Sequence, residues 1–116
     1  MSHIVHADNS EFFRKLMKTF LVELGHESEN FARGEDAVAA VKAGKTDWVI
    51  TGMSLGDMGG EEFIKRLAVS EVSAPVIVVT SSDEAAQYQR LVALGVKAII
   101  QKSGDWKTGL SEKLAN

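Results

Sequence analysis

The sequence has no cysteine, which excludes a disulfide framework and any thiolate metal site and fits a reducing compartment. No apolar run approaches the ~18 to 20 residues needed to span a bilayer. The N-terminus lacks the charged-then-apolar layout of a signal peptide, so the expected location is the cytoplasm, with no membrane contact. There is no basic excess either. Lys and Arg number 13 against 16 Asp and Glu, a net charge of −3. A generic phosphate-backbone binder would be basic, so no direct nucleic-acid contact is expected. Gly52, Gly56, Gly59 and Gly60 form neither the dinucleotide fingerprint nor the Walker pattern, and Asp57 among them would repel phosphate. No Ser-His-Asp or paired-carboxylate set can be assembled, which argues against an enzyme. The histidines make no metal set: His3 and His6 lie three apart on a strand and so on opposite faces, and His26 follows a different helix. His6 reads as a buried, hydrogen-bonded histidine.

What is present is the composition of an ordinary globular protein, 45% hydrophobic and 25% charged over 116 residues, which suits one domain, 1–116. Short apolar runs alternate with amphipathic stretches. His3 to Ala7 reads as a strand. Ser10 to Leu24 reads as a helix with Phe13, Met17, Phe20, Leu21 and Leu24 near helical spacing, stopped by Gly25. Glu27 to Phe31 is a weaker strand, followed by a short helix from Glu35 to Ala43 closed by Gly44. Trp48 to Thr51 is a strand, and Glu61 to Val69 a helix. Pro75 to Thr80 is β-branched and apolar on both faces, as in the middle of a covered parallel sheet. Asp83 to Leu94 predicts a helix ended by Gly95, Lys97 to Gln101 the last strand, and Asp105 to Leu114 the last helix.

Five strand-then-helix units predict an α/β fold: a flavodoxin-like, doubly wound, five-stranded parallel sheet of order 2-1-3-4-5 with five helices. In such sheets the functional crevice lies beyond the carboxyl ends of the strands. The residues placed there are Asp8, Asn9 and Ser10 after the first strand, Gly52, Met53 and Ser54 after the third, Thr80, Ser81 and Ser82 at the end of the fourth, and Lys102 and Ser103 after the fifth.

Those residues, in that order, resemble the receiver domain of two-component response regulators, of the chemotaxis-regulator type. Asp8, Ser10, Thr80 and Lys102 match the family's pattern. Ser10-Glu-Phe-Phe-Arg-Lys-Leu-Met is similar to a common first helix of the family, and Asp47-Trp-Val-Ile with Met58-Gly-Gly60 to its third-strand region. The resemblance covers essentially the whole chain. It also makes the departures visible. Gly52 falls where the family carries the aspartate that accepts phosphate, and Asn9 where it carries a second acid. Of three carboxylates that together hold Mg²⁺ in the family, only Asp8 is kept, so Mg²⁺ binding is expected to be weak or absent and no other cofactor is expected. Lys102 is followed by Ser103 in place of proline. A cis bond there would cost roughly 2.5 to 4 kcal/mol, so a trans bond is expected. Ile99 stands where the family usually has the Tyr or Phe that reports phosphorylation.

The resemblance therefore implies a degenerate receiver that acts by binding a signalling protein: a histidine kinase, an output domain or another regulator. Two alternatives stand beside it. One is a conventional phospho-accepting receiver whose aspartate has been substituted at Gly52. The other is a small-ligand or flavin-binding domain on the same sheet, against which Asp8 argues. Several residues are open to two readings. Asp8 is a solvated strand-end acid or the partner of Lys102 across the emptied pocket. Thr80 and Ser81 are pocket residues or caps of the fourth helix. Asp57 offers an alternative phosphate acceptor only if the loop refolds. Tyr88, Ile99 and Trp106 form a partner face, or Trp106 packs into the core through the stripe it shares with Leu110 and Leu114. The sequence sets neither the partner's identity nor the oligomeric state.

Overall fold

The computed structural model describes residues 1–71 and 73–115. Strands β1 (His3–Ala7), β2 (Glu27–Phe31), β3 (Trp48–Thr51), β4 (Val76–Thr80) and β5 (Ala98–Gln101) alternate with helices α1 (Glu11–Glu23), α2 (Gly34–Ala43), α3 (Gly60–Val69), α4 (Ala85–Ala93) and α5 (Trp106–Leu114). All strand pairs are parallel and the sheet order is β2-β1-β3-β4-β5, as the alternation predicted. No helix among the described residues is long and apolar enough to cross a membrane.

Strand residues alternate between two cores because successive side chains point to opposite faces. Ile4, Ile50, Ile77 and Val79 pack against Phe13, Met17 and Leu21 of α1 and Trp106, Leu110 and Leu114 of α5. On the other face, Val5, Ala7 and Val49 meet Ala37 and Val41 of α2 and Phe63 and Leu67 of α3, while Val78 meets Ile64 and Leu91. Each such side chain removed from water contributes about 1.5–3 kcal/mol, which is why the apolar periodicity decides the fold. His6 and Asp8 follow Ile4 at intervals of two and so belong to the α1–α5 face.

Helix ends follow local chemistry. The Ser10 hydroxyl accepts from the Phe13 N–H and starts α1. Gly25 and Gly95, at φ +90 and +87, end α1 and α4 in the left-handed conformation that glycine adopts without strain. Gly44 ends α2 with φ −138, so it acts as a helix end without a left-handed turn.

The start of α4 differs from expectation. The Thr80 hydroxyl accepts from the Ser82 N–H at 3.1 Å, and the Ser82 hydroxyl accepts from the Glu84 N–H at 3.2 Å. These local turns keep Glu84 extended, so the helix begins at Ala85, and neither Thr80 nor Ser81 caps it.

Candidate functional site

The carboxyl ends of β1, β3, β4 and β5 meet around a cavity of about 260 Å³ lined by Asp8, Asn9, Ser10, Ser54, Thr80 and Lys102, among others. Of the residues the sequence placed at this rim, Asp8, Asn9, Ser10, Met53, Ser54, Thr80, Ser81 and Lys102 line the cavity, and Gly52, Ser82 and Ser103 do not. Adjacent strands bind the rim into one unit: the Gly52 N–H donates to Ala7 O at 2.9 Å, Asn9 N–H to Ser54 O at 3.1 Å, and Lys102 N–H to Thr80 O at 2.8 Å. The Lys102–Ser103 bond is trans, with no cis peptide among the described residues.

Asp8 is the only acid lining the cavity among the described residues, is nearly buried (3% exposed), and has both oxygens engaged. Oδ1 accepts from the Ser10 N–H at 2.8 Å, and Oδ2 pairs with Lys102 Nζ at 2.9 Å. Of its two readings, the structure takes the ion pair. Lys102 Nζ also lies 4.3 Å from the centroid of the Phe13 ring, a cation–π contact that fixes the ammonium from a second side. The pair is buried on the Asp8 side, while Lys102 keeps 26% of its side chain exposed.

Gly52 is buried immediately after β3. A Cβ at this position would lie 2.5 Å from Asp8 Oδ2 and 3.1 Å from its Cγ. The Asp8 carboxylate thus occupies the volume a side chain at position 52 would need. Gly60 is constrained more tightly, since its Cβ would collide with the Gly52 carbonyl oxygen and reach 3.0 Å from Met53 Cα. The turn from Gly52 to Gly60 can therefore fold tightly beside the cavity only with glycine at its closing end.

Asp57 is remote from this chemistry. Its carboxylate accepts from the Gly34 N–H at 2.6 Å and the Glu35 N–H at 3.1 Å, and lies 3.8 Å from Arg33. It caps α2 from another loop. Burial alone would raise its pKa, but the two N–H donors and Arg33 hold the carboxyl below its ordinary range. As an alternative acceptor it would first have to leave the helix terminus.

Beneath the cavity, His6 is fully buried and its Nδ1 accepts from Asn30 Nδ2 at 2.9 Å, leaving Nε2 without a partner among the described residues. Desolvation lowers its pKa to about 4, opposed by Asp8 and reinforced by Lys102 and Arg14. It is a neutral core histidine, satisfied on one nitrogen only. His3, on the opposite face, bonds Glu27 at 3.2 Å and Glu29 at 2.6 Å. Burial works against its charge, but the two carboxylates prevail and raise its pKa.

Of the three residues expected on a partner face, Tyr88 and Ile99 are half-buried, whereas Trp106 is only 9% exposed. Its ring packs against Phe13 at 5.0 Å and Phe20 at 5.3 Å, so it belongs to the core and is withdrawn from that face. The Tyr88 hydroxyl donates to the Ser82 carbonyl at 3.1 Å, and Gln101 Nε2 donates to the same carbonyl at 2.8 Å and contacts the hydroxyl.

Sequence reasoning missed Arg14, Phe13 and Gln101. Arg14 Nη1 donates to the carbonyls of Asp8 at 2.9 Å and Asn9 at 3.1 Å and so secures the β1–α1 loop. The signal available was a cation one turn into the helix that opens beside Asp8.

A family model for the response regulator receiver domain matches residues 4–112. The chemotaxis protein CheY of Thermotoga maritima is 26% identical over 100 residues, spanning 85% of this chain and 83% of that protein. Among solved structures, chemotaxis protein CheY4 of Vibrio cholerae superposes with a TM-score of 0.89 at 23% identity, covering 99% of this chain and 98% of the other. The receiver domain of Francisella response regulator 1452 superposes with a TM-score of 0.90 at 16% identity, covering 99% and 94%. With the sheet order, the crevice and the family match all spanning the same residues, the chain belongs to the response regulator receiver domain family.

Proposed function

We propose that this domain is a phosphorylation-independent receiver: a non-enzymatic module of two-component signalling that works by binding another signalling protein, whether a histidine kinase, an output domain or another regulator. The observation that supports this most is the Asp8 carboxylate, paired with Lys102 and seated where a side chain at Gly52 would lie. Aligned with the family, Gly52 takes the acceptor's place, and a glycine offers no oxygen to phosphorylate. Neither do the cavity residues make a good Mg²⁺ site. A hard cation favours several carboxylate oxygens, yet the lining holds one carboxylate, already bound to an ammonium and a backbone N–H. Asn9 supplies a neutral amide where the family has an acid. Tyr88, whose hydroxyl shares the Ser82 carbonyl with Gln101, and Ile99 remain the residues proposed for the partner face on α4 and β5.

The reading is tested by titrating MgCl₂ while following tryptophan fluorescence. Trp106 rests on Phe13, whose ring also holds Lys102, so displacement of Lys102 from Asp8 would change its surroundings. A flat trace through the millimolar range is expected. A saturable response that disappears in Asp8→Asn would contradict the proposal.

A further inference from the structure

Helices α1, α2, α3 and α5 each bury three or four residues, whereas α4 buries one, Leu91. That side chain meets Ile64 of α3 and Val78 of β4. Apolar burial is the main hold of a helix on a sheet, so α4 is the most lightly held of the five. Beyond Leu91 a groove of about 430 Å³ opens between α3 and the end of α4, lined by Ile64, Leu67, Leu94 and Gly95 among others. Two features of α4 itself work against the folded, docked helix. Glu84 supplies no side-chain cap to its first N–H groups. Gln87 Oε1 is buried with no hydrogen-bond partner among the described residues.

Two polar ties hold it instead. The first runs to β5. Gln101 Nε2 donates to the Ser82 carbonyl at 2.8 Å and contacts the Tyr88 hydroxyl, which donates to the same carbonyl at 3.1 Å. One β5 side chain thus fastens both the β4–α4 loop and the helix. The second tie runs to α3. Arg90 Nε and Nη2 donate to the two carboxylate oxygens of Glu61 at 2.9 and 3.3 Å.

We infer that α4 is a strap held shut by these two ties, and that it opens as a unit while the rest of the domain stays folded. Opening withdraws Leu91 from Ile64 and Val78 and releases Gln87. Tyr88 rides on α4 and Ile99 on β5, so opening takes apart the partner face proposed above. The ties then set how much of the domain presents that face. This consequence rests on the proposed function, but the strap itself does not, and it is independent of whether the domain accepts phosphate.

Hydrogen exchange of the backbone amides, followed by NMR on the full chain, tests the strap. In the parent, the amides from 89 to 93 should exchange about tenfold or more faster than those of β1 and β3. Gln101→Met removes the donor of the first tie and should quicken α4 about fivefold. Arg90→Met breaks the second and should quicken it about twofold. The two together should quicken it about tenfold, with β1 and β3 following only the global stability measured by urea unfolding. Amides of α4 as protected as those of β1 in the parent would overturn the inference. So would a double variant that exchanges like the parent, or one whose α4 and β1 amides quicken equally. Arg90 is exposed and lies off the sheet, so its variant keeps the test decisive should Gln101→Met fail to fold.

Discussion

Residue by residue, the cavity is governed by a glycine and its consequences. Glycine at position 52 leaves a volume next to a buried acid, and the acid fills it. Lys102 then has a carboxylate within 2.9 Å, and the aromatic ring of Phe13 holds it there. His6 lies below this pair in a site that disfavours its charge. Its folded pKa of about 4 lies beneath the ordinary 6.5. The unfolded chain therefore binds the additional proton, so His6 stabilises the fold fully above about pH 6.5 and that stability is lost as pH falls toward 4. The contribution between about pH 7 and pH 5 is on the order of 2 kcal/mol. His3 acts in the opposite sense. Its raised pKa stabilises the fold at low pH and that gain is lost as pH rises through the folded value. Urea unfolding of the parent and of His6→Gln at both pH values separates the two. The variant should lose the acid-side fall, and parallel profiles would contradict the assignment. That His6 is buried followed from its place on an apolar strand, but its unpartnered Nε2 did not, because hydrogen-bond partners come from other strands.

Among the elements, the strands were the most legible. β1, β2 and β3 have the expected limits, and β4 and β5 each start one residue later than expected. Apolar alternation is a local property that survives tertiary folding. Helix starts were less legible where side chains compete with the helix for backbone donors. Thr80 and Ser81 read as pocket residues or as caps of α4, and the hydroxyls of Thr80 and Ser82 instead form local turns ahead of the helix. The role of Asp57 was invisible for a related reason, since α2 lacks a capping side chain of its own and receives one from 22 to 23 residues away. Replacing Asp57 by Ala should cost about 0.5–2 kcal/mol, the usual value of a lost N-terminal cap. Amide exchange at Gly34 and Glu35 should quicken more than at the α1 N-terminus, where Ser10 supplies the cap. Equal protection in parent and variant would show that the carboxylate contributes nothing to α2.

On the scale of the whole molecule, the order of five strand–helix units was sufficient to place Asp8, Asn9, Gly52, Thr80 and Lys102 around one rim, because a doubly wound sheet collects its strand ends there. The charged pairing within that rim followed less directly, and Trp106 went to the core because two phenylalanines of α1 enclose it. The domain keeps the scaffold of its family, and the Asp8 carboxylate that lines its cavity is paired with Lys102. Incubation with acetyl phosphate and MgCl₂ followed by intact-mass spectrometry tests the proposed phosphorylation independence most directly. An unmodified mass, under conditions that label a conventional receiver, is the predicted result. A stable phosphate adduct on any aspartate would contradict it.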